Sequence, residues 1–534
     1  MHRAFRLFAL VCVLGGAAWP AGAQAELPPD QRALRAARLL GEPQQQLDAL
    51  RKVAADYPTS RYGERARMAV LDVLAKQFPS RSADIRQQAA LLVRRADPAD
   101  PGMYDDVATV LVDAGVELET ARALSAKTVR AFTEQAFLRA ARKDYAAAKQ
   151  ALPAAEQLRK NYLSSRTALL GTLGRIYLAL GDRSRAAATF GEAERGHPSA
   201  QAADGLGAIA LAEGREDDAY RWWLRARVTG VLSPASAREF ERLFAAREGA
   251  RGVPLEHLLD EAYRALGPNP VHPERYVPAQ PGDRTVLLEM FTGAGCPPCA
   301  GADLAVDALR ERFSAEQVVV LMHHVHIPRP DPMANAATVA RSDLYAITGA
   351  PTFIVDGTRR ETGGASRENA ARPYERVKTH LEAALATPAG ADLRARATLA
   401  GGVATVRVEP QLKMPAERIM VRVALVEREL RYGGENGIRF HPMVVRALAE
   451  RPLPKPGDAV SVEFAVADVA ASLRSYLDGF EQRNDRFGPM RFAEKKAAID
   501  ARNLGVVVFL QSDEDRAVLQ SRYVELGATS GERP

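Results

Sequence analysis

The stretch LLEMFTGAGCPPCAGADLAVDAL, Leu287 to Leu309, decides how this chain reads. It opens apolar, passes through a loop of small residues, and presents Cys296-Pro297-Pro298-Cys299 ahead of a run with helical spacing. A C-x-x-C pair gains chemical meaning from a strand-loop-helix setting. A cysteine at a helix start meets unpaired N–H groups and the positive end of the helix dipole, and both stabilise a thiolate. Proline there costs little, because its missing N–H would have had no intrahelical partner. The spacing predicts Cys296 as the exposed nucleophile. Cys299, one turn on and more buried, is the predicted resolving thiol, able to reach a mixed disulfide on Cys296 and expel the substrate thiol.

The cysteine count sharpens this. The 534 residues contain three cysteines. Cys12 lies in an N-terminal stretch with Arg3 and Arg6 before an apolar run, Leu7 to Gly16, and Ala-x-Ala sites at Ala21 to Ala23 and Ala23 to Ala25. Residues 1–25 read as a secretory signal peptide. The alternative, a membrane anchor, is disfavoured by the short run and by Pro20. Removal of the peptide leaves Cys296 and Cys299 in an oxidising compartment. A chain this long builds cores without staples, so the pair reads as chemical rather than architectural.

Downstream, strands and helices alternate. Val286–Phe291 and Val318–Val325 read as strands, and Ala302–Phe313 and Ala334–Ile347 as helices. Thr352–Val355 is a short strand ending at Asp356-Gly357, with Arg359–Thr362 as its hairpin partner and Tyr374–Leu385 as a closing helix. Such an order suits a compact α/β domain. Together with Gly349-Ala350-Pro351-Thr352-Phe353, in which Pro351 lies 52 residues after Cys299, it resembles the thioredoxin fold over residues 284–387. The resemblance implies a cis peptide at Ala350-Pro351 packed against the dithiol. It also implies that Ala350, Pro351 and Thr352 position an extended substrate. Glu289, seven residues before Cys296, resembles the buried acid that assists proton transfer near the second cysteine of thioredoxins. A carboxylate with a raised pKa there could deprotonate Cys299. The alternative is a Glu facing solvent or bonded at the sheet edge. The usual aromatic residue before the first cysteine is absent, Gly295 standing there, and the dipeptide is Pro297-Pro298 rather than Gly-Pro.

From about residue 390 the helical signal gives way to strand candidates: Leu393–Leu399, Val403–Glu409, Ile419–Glu427, Met443–Leu448, Val460–Val466 and Gly505–Gln511. These read as a mostly β, sandwich-like domain over 388–527, with Ala471–Ala501 partly helical. GENGIRFHPMVVRAL (Gly434–Leu448) and GVVVFLQSDEDRAVLQS (Gly505–Ser521) resemble the outer-membrane-protein-related branch of the thioredoxin superfamily.

Upstream, residues 26–266 are rich in Ala, Leu, Arg and Glu and read as helical. Leu173, Gly174, Tyr177, Leu180, Gly181, Ala186, Phe190 and Ala193 fall at helix-turn-helix spacing. Leu206, Gly207, Gly214, Ala219, Trp222 and Ala226 repeat the pattern about 33 residues later. This resembles tetratricopeptide repeats. VAADYPTSRYGERA (Val53–Ala66) reads as another joint of that kind. Of the adjacent Trp222 and Trp223, at least one belongs in the core. Residues 267–283 form a linker: GPNPVHPERYVPAQPGDR, Gly267 to Arg284, holds five prolines and two glycines. Residues 528–534 read as a flexible tail.

The fold class is therefore multidomain: an all-α tetratricopeptide-like solenoid, an α/β thioredoxin-like domain and a mostly-β domain. Lys plus Arg exceeds Asp plus Glu by six, without the clusters that mark a nucleic-acid footprint. No later apolar run has spanning length. His323, His324 and His326 invite a metal reading, with His324 and His326 on one face and Asp331 nearby, but no further ligand is identifiable. Phosphate loops, His-Glu-x-x-His and nucleophile elbows are absent.

The function expected is thiol-disulfide exchange on protein or peptide substrates in the periplasm or outer envelope. It needs no organic cofactor but does need an unidentified redox partner. The alternative is a non-catalytic envelope binding or assembly protein, with a protein partner on the helical repeats and a vestigial or structural dithiol.

Overall fold

The computed structural model describes residues 28–96, 102–147, 152–278, 282–413, 418–453, 455, 458–484 and 490–528. The predicted signal peptide, with Cys12, and the predicted tail beyond Ala528 lie outside the described residues. The chain divides into two compact units, one ending at Ala262 and the other beginning at Tyr263.

Helices α1 (Pro29–Arg38), α2 (Pro43–Asp56), α3 (Arg61–Gln77), α4 (Ser82–Arg95), α5 (Gly102–Ala114), α6 (Leu118–Ala131), α7 (Glu134–Ala147), α8 (Ala155–Ala179), α9 (Arg183–Gly196), α10 (Ala200–Ala212), α11 (Glu216–Thr229) and α12 (Pro234–Ala246) follow one another in the first unit. The 33-residue repeat is visible at three points. Gly181 and Gly214 end α8 and α10 at φ of 80° and 75°, a left-handed turn that glycine adopts without a Cβ penalty. The N–H of Asp182 donates to Tyr177 O and that of Arg215 to Ala210 O, both at 2.9 Å. Phe190 and Trp223, again 33 apart, are buried aromatics of α9 and α11. Gly174 admits Phe190, since a Cβ there would stand 2.5 Å from the ring, and Gly207 admits Trp223 in the same way. Trp223 is the core tryptophan, and Trp222 is only half-buried.

Helix α13 (Leu255–Arg264) leads into the second unit, which contains β1 (Val286–Thr292), α14 (Cys299–Arg312), β2 (Val318–His324), α15 (Ala336–Leu344), β3 (Thr352–Val355), β4 (Arg359–Thr362) and α16 (Ala371–Leu385). Then come β5 (Ala391–Ala400), β6 (Val403–Leu412), β7 (Ile419–Arg431), β8 (Phe440–Pro452), β9 (Val460–Ala465), α17 (Val466–Arg483), β10 (Leu504–Ser512) and β11 (Val518–Ala528). The strands form one sheet of eleven in the order β4-β3-β1-β2-β8-β7-β10-β11-β5-β6-β9. Parallel β1 and β2 with antiparallel β3 and β4 form the thioredoxin-like end. The β-rich region joins it along β2, where Met322 pairs with Val444 of β8.

Alternation along the central strands explains how one sheet serves two cores. Val421, Val423, Leu425, Val506, Val508 and Leu510 face a core shared with β5, β6 and β9, which gives the C-terminal region its sandwich-like character. Ala424, Val426, Val507 and Phe509 point the other way, into the core shared with β1, β2, α14 and α16. Every residue of β1, β2 and β10 is buried, and full burial of each Val or Leu side chain stabilises by about 1.5–3 kcal/mol. Strand β11 was not expected from the sequence. Two of its polar residues, Gln520 and Ser521, are buried where it pairs with β10, while Arg522 and Glu525 are exposed. Helix α17 begins five residues before the expected helical stretch, directly after β9.

Candidate functional site

Strand β1 delivers the dithiol. After Thr292 the chain turns through Gly293–Gly295, and Cys296 and Cys299 are joined by a disulfide with their Cα atoms 5.3 Å apart. The Ala350–Pro351 peptide is cis, and so is Ile327–Pro328. Cys296 Sγ lies 3.6 Å from the Ala350 carbonyl, so the dithiol and the cis-proline loop share one site. The Thr352 hydroxyl donates to Gly349 O at 2.8 Å, bracing that loop. Pro297 and Pro298 are exposed. Across the site, the segment after β4 pairs with the C-x-x-C turn. Ala365 N donates to Pro298 O at 2.8 Å and Gly301 N to Ala365 O at 2.9 Å. Gly364 has no room for a Cβ, which would overlap Pro298 O.

Two expectations for Cys296 require correction. It has 0% exposure, the same as Cys299, so the two sulfurs do not divide into an outer and an inner one. Helix α14 also starts at Cys299 rather than at Cys296. The first N–H groups are already engaged: Cys299 N donates to Cys296 O at 3.0 Å, Ala300 N to Pro297 O and Gly301 N to Ala365 O, while the two prolines have none. Unpaired helix-start N–H groups are therefore not the source of thiolate stabilisation that the motif suggested.

Glu289 is corrected as well. It points neither to solvent nor to the sheet edge, and its pKa moves down rather than up. Its side chain is fully buried. Arg341 of α15 donates to it through Nε at 2.7 Å and Nη2 at 2.9 Å, His323 Nε2 at 3.0 Å and the Tyr345 hydroxyl at 2.7 Å. Burial alone would raise the carboxyl. The Arg341 charge and the hydrogen bonds from His323 and Arg341 outweigh it and hold the group below the usual carboxylate range. Burial lowers the His323 pKa, and its ring stacks on Phe291 at 4.8 Å. Gln511 of β10 donates to the Tyr345 oxygen at 3.0 Å and completes a network tying β1, β2 and α15 to the C-terminal strands.

Asp303, which sequence reasoning passed over, is the buried carboxyl next to the dithiol along the chain. It sits one turn after Cys299 on α14 and is 2% exposed. Residues four apart lie on one helix face with Cβ atoms about 5–6 Å apart. Its carboxylate accepts from Thr292 Oγ1 at 3.0 Å and, at 3.5 Å, from Asn436 Nδ2 in the β7–β8 loop. Among the described residues it makes no ion pair. Burial pushes its pKa up to about 7, against the opposing influence of His324 and the Thr292 bond. The available signal was an acid flanked by Ala302, Leu304, Ala305 and Val306, with Asp307 one turn further along the same helix.

His324 and His326 converge on Asp331. His324 Nδ1 donates to Asp331 Oδ2 at 3.0 Å, and Asp331 N donates to His326 Nδ1 at 3.0 Å. His326 stacks on Phe480 of α17 with ring centres 3.6 Å apart. His441 lies beside His324, and burial drives its pKa down to about 3. Among the described residues no group of three or more His, Cys, Asp or Glu is placed to hold a metal ion. No helix of the described residues is long and apolar enough to cross a membrane.

The chain thus combines a helical, tetratricopeptide-like region with a thioredoxin-like α/β region bearing a C-x-x-C disulfide, followed by a mostly-β region. No family model and no curated protein matches it. Solved structures do. HBP35 of Porphyromonas gingivalis is similar at 15% identity and a TM-score of 0.33, over 48% of this chain and 80% of that one. A domain of the outer membrane lipoprotein Omp28 of the same organism matches 27% of this chain and 92% of its own, at 14% identity and a TM-score of 0.17. A TPR protein of Thermus thermophilus matches 41% of this chain and 98% of its own, at 17% identity and a TM-score of 0.26.

Proposed function

We propose that the protein is a thiol-disulfide oxidoreductase of the cell envelope acting on protein or peptide substrates. The observation carrying this reading is the Cys296–Cys299 disulfide facing the Ala350 carbonyl at the cis-proline loop. In the oxidising direction, a substrate thiolate attacks Cys296 Sγ. A substrate–Cys296 bond forms, the Cys296–Cys299 bond breaks, and the electron pair leaves on Cys299. A proton from Asp303 neutralises the Cys299 thiolate. When a second substrate thiolate attacks the substrate sulfur of the mixed disulfide, the substrate leaves oxidised and the pair remains reduced. Alternatively, Asp303 takes the proton back and the Cys299 thiolate attacks Cys296, releasing the substrate thiolate unchanged. Backbone groups of Ala350, Pro351 and Thr352 align the substrate strand. A separate redox partner resets the pair, and no organic cofactor enters.

In this reading the chemistry resides in residues 284–387, braced by 388–527, while the helical repeats hold a protein partner. The apolar N-terminal stretch directs export to the periplasm or outer envelope. Zero exposure of both sulfurs means that exchange needs an opening of the flanking loops.

The same burial specifically favours a second reading, an envelope binding or assembly protein whose disulfide is structural. Cys299→Ser exposed to envelope extracts separates the two. Mixed disulfides trapped through Cys296 support exchange. An untrapped Cys296 that stays unreactive across pH 5 to 9 supports the structural disulfide and removes the enzymatic reading.

A further inference from the structure

The oxidoreductase reading leaves unexplained why a fully buried carboxylate, with no lysine or arginine partner among the described residues, sits beside the dithiol loop. Asp331 is 0% exposed and follows β2 in the segment that also holds the cis Ile327–Pro328 peptide. Its Oδ2 accepts the backbone N–H of Ala294 at 2.6 Å, two residues before Cys296, and its Oδ1 accepts Met333 N at 2.8 Å. His324 and His326 grip it from two further directions, as described above. The groups facing this cluster come from several elements: Asp303 of α14, His324 of β2, His326 of the following loop and His441 of β8.

The turn held by Asp331 is short and tightly packed. Cys296 N donates to Gly293 O at 3.0 Å, and Asn436 N to Ala294 O at 3.0 Å. A Cβ on Gly293 would stand 2.7 Å from Ile327 O, and one on Gly295 would stand 3.2 Å from Cβ of Arg329. The β2–α15 segment thus lies along the dithiol loop, and the Ala294–Asp331 bond ties that loop to a charged group of the segment. Hydrogen bonds accepted by an ionised group are about twice as strong as neutral ones.

We infer that Asp331, held by His324 and His326, is a positioning residue for the dithiol, fixing the Gly293–Cys296 turn through Ala294 so that the two sulfurs stay within bonding reach after the disulfide opens. This deepens the oxidoreductase reading and rests on it for its biological use. The geometry is tested without any substrate protein. A held turn keeps the effective concentration of one thiol at the other high, which favours the closed disulfide. A loosened turn makes the disulfide easier to reduce.

The experiment is redox equilibration of the full-length mature chain against dithiothreitol. Asp331→Ala is expected to lower the equilibrium constant for disulfide closure about tenfold, equivalent to roughly 30 mV for a two-electron couple. Asp331→Asn keeps one acceptor oxygen and is expected to lose about threefold. His324→Leu, which removes the donor that orients Asp331, should fall in the same direction. His324→Asn, which restores a donor at the Nδ1 position, should recover the native value. An unchanged equilibrium constant in a folded Asp331→Ala overturns the inference. If that variant fails to fold, equal constants in His324→Leu and His324→Asn overturn it. Mixed-disulfide trapping through Cys296 is a separate measurement, so loss of trapping with a shifted constant rejects the enzyme and keeps the positioning role.

Discussion

Replacing Glu289 by Gln distinguishes an acid-base catalyst from a structural counterion. Gln matches Glu in shape, so no cavity forms. It offers one acceptor oxygen where the carboxylate takes two contacts from Arg341, one from His323 and one from Tyr345, all within 3.0 Å. Arg341 is 2% exposed, and its charge is then left without a partner. Removing one member of a buried pair costs about 3–5 kcal/mol. With an m-value of about 2–3 kcal/mol/M, the urea midpoint of the second unit falls by about 1–2 M. Replacing both members, as Glu289→Leu with Arg341→Met, recovers most of the loss because no unpaired charge remains. The pH dependence follows from the depressed pKa. The stabilisation is full above the ordinary carboxylate range and is lost as the pH falls toward the lower folded value. Urea titrations at pH 7 and pH 3, with thiol reactivity measured on the same samples, check both statements. A Glu289→Gln protein with native stability but a crippled Cys299 would falsify the structural assignment.

Asp303→Asn has the opposite sign. Because the folded pKa is raised to about 7, the protonated form contributes fully below pH 4, and that contribution is lost as pH rises through 7. The uncharged variant should therefore gain on the native protein between pH 5 and pH 8, by at most about 4 kcal/mol at 1.36 kcal/mol per pKa unit. An equal stability difference at both pH values removes Asp303 as a proton carrier. In the helical unit, Gly205→Ala drives a Cβ into the Phe190 ring. Overpacking of this kind costs about 1–3 kcal/mol, and an unchanged thermal midpoint would show that Phe190 swings aside freely.

Local pattern revealed the parts whose meaning is local. The C-x-x-C turn between β1 and α14, the Asp356-Gly357 hairpin and the 33-residue offset between Gly174 and Gly207 all depend on neighbours close in the chain. What escaped depends on distant ones. Glu289 has its pKa set by Arg341, 52 residues later, and the far end of its network is Gln511. Ala294 is pinned by Asp331 on one side and Asn436 on the other, residues brought together only when β8 pairs with β2. Strand β11 lacks a clean alternation: Gln520 and Ser521, adjacent in the chain, are both buried polar residues where periodicity predicts at most one inward-facing, apolar position. The three histidines invite a metal reading in one dimension, though no further ligand is identifiable. In the fold their partners separate, His323 going to Glu289 and the other two to Asp331.

Glu289 and Asp303 show why burial alone does not identify the acid of such a site. Both are nearly or wholly out of water, so desolvation pushes both carboxyls toward the neutral form. Arg341 decides the difference. Beside it Glu289 stays ionised and can neither give nor take a proton near neutral pH. Asp303, opposed only in part by His324 and the Thr292 hydroxyl, is left with a pKa of about 7, close to the point where it can do either. A group that is to serve a thiol must change protonation state within the pH range of the reaction, and it must lie within reach of the sulfur. Position on the incoming strand meets neither requirement by itself. The helix that begins at Cys299 places Asp303 on the same face one turn later, and the absence of an ion pair to it among the described residues leaves its proton exchangeable.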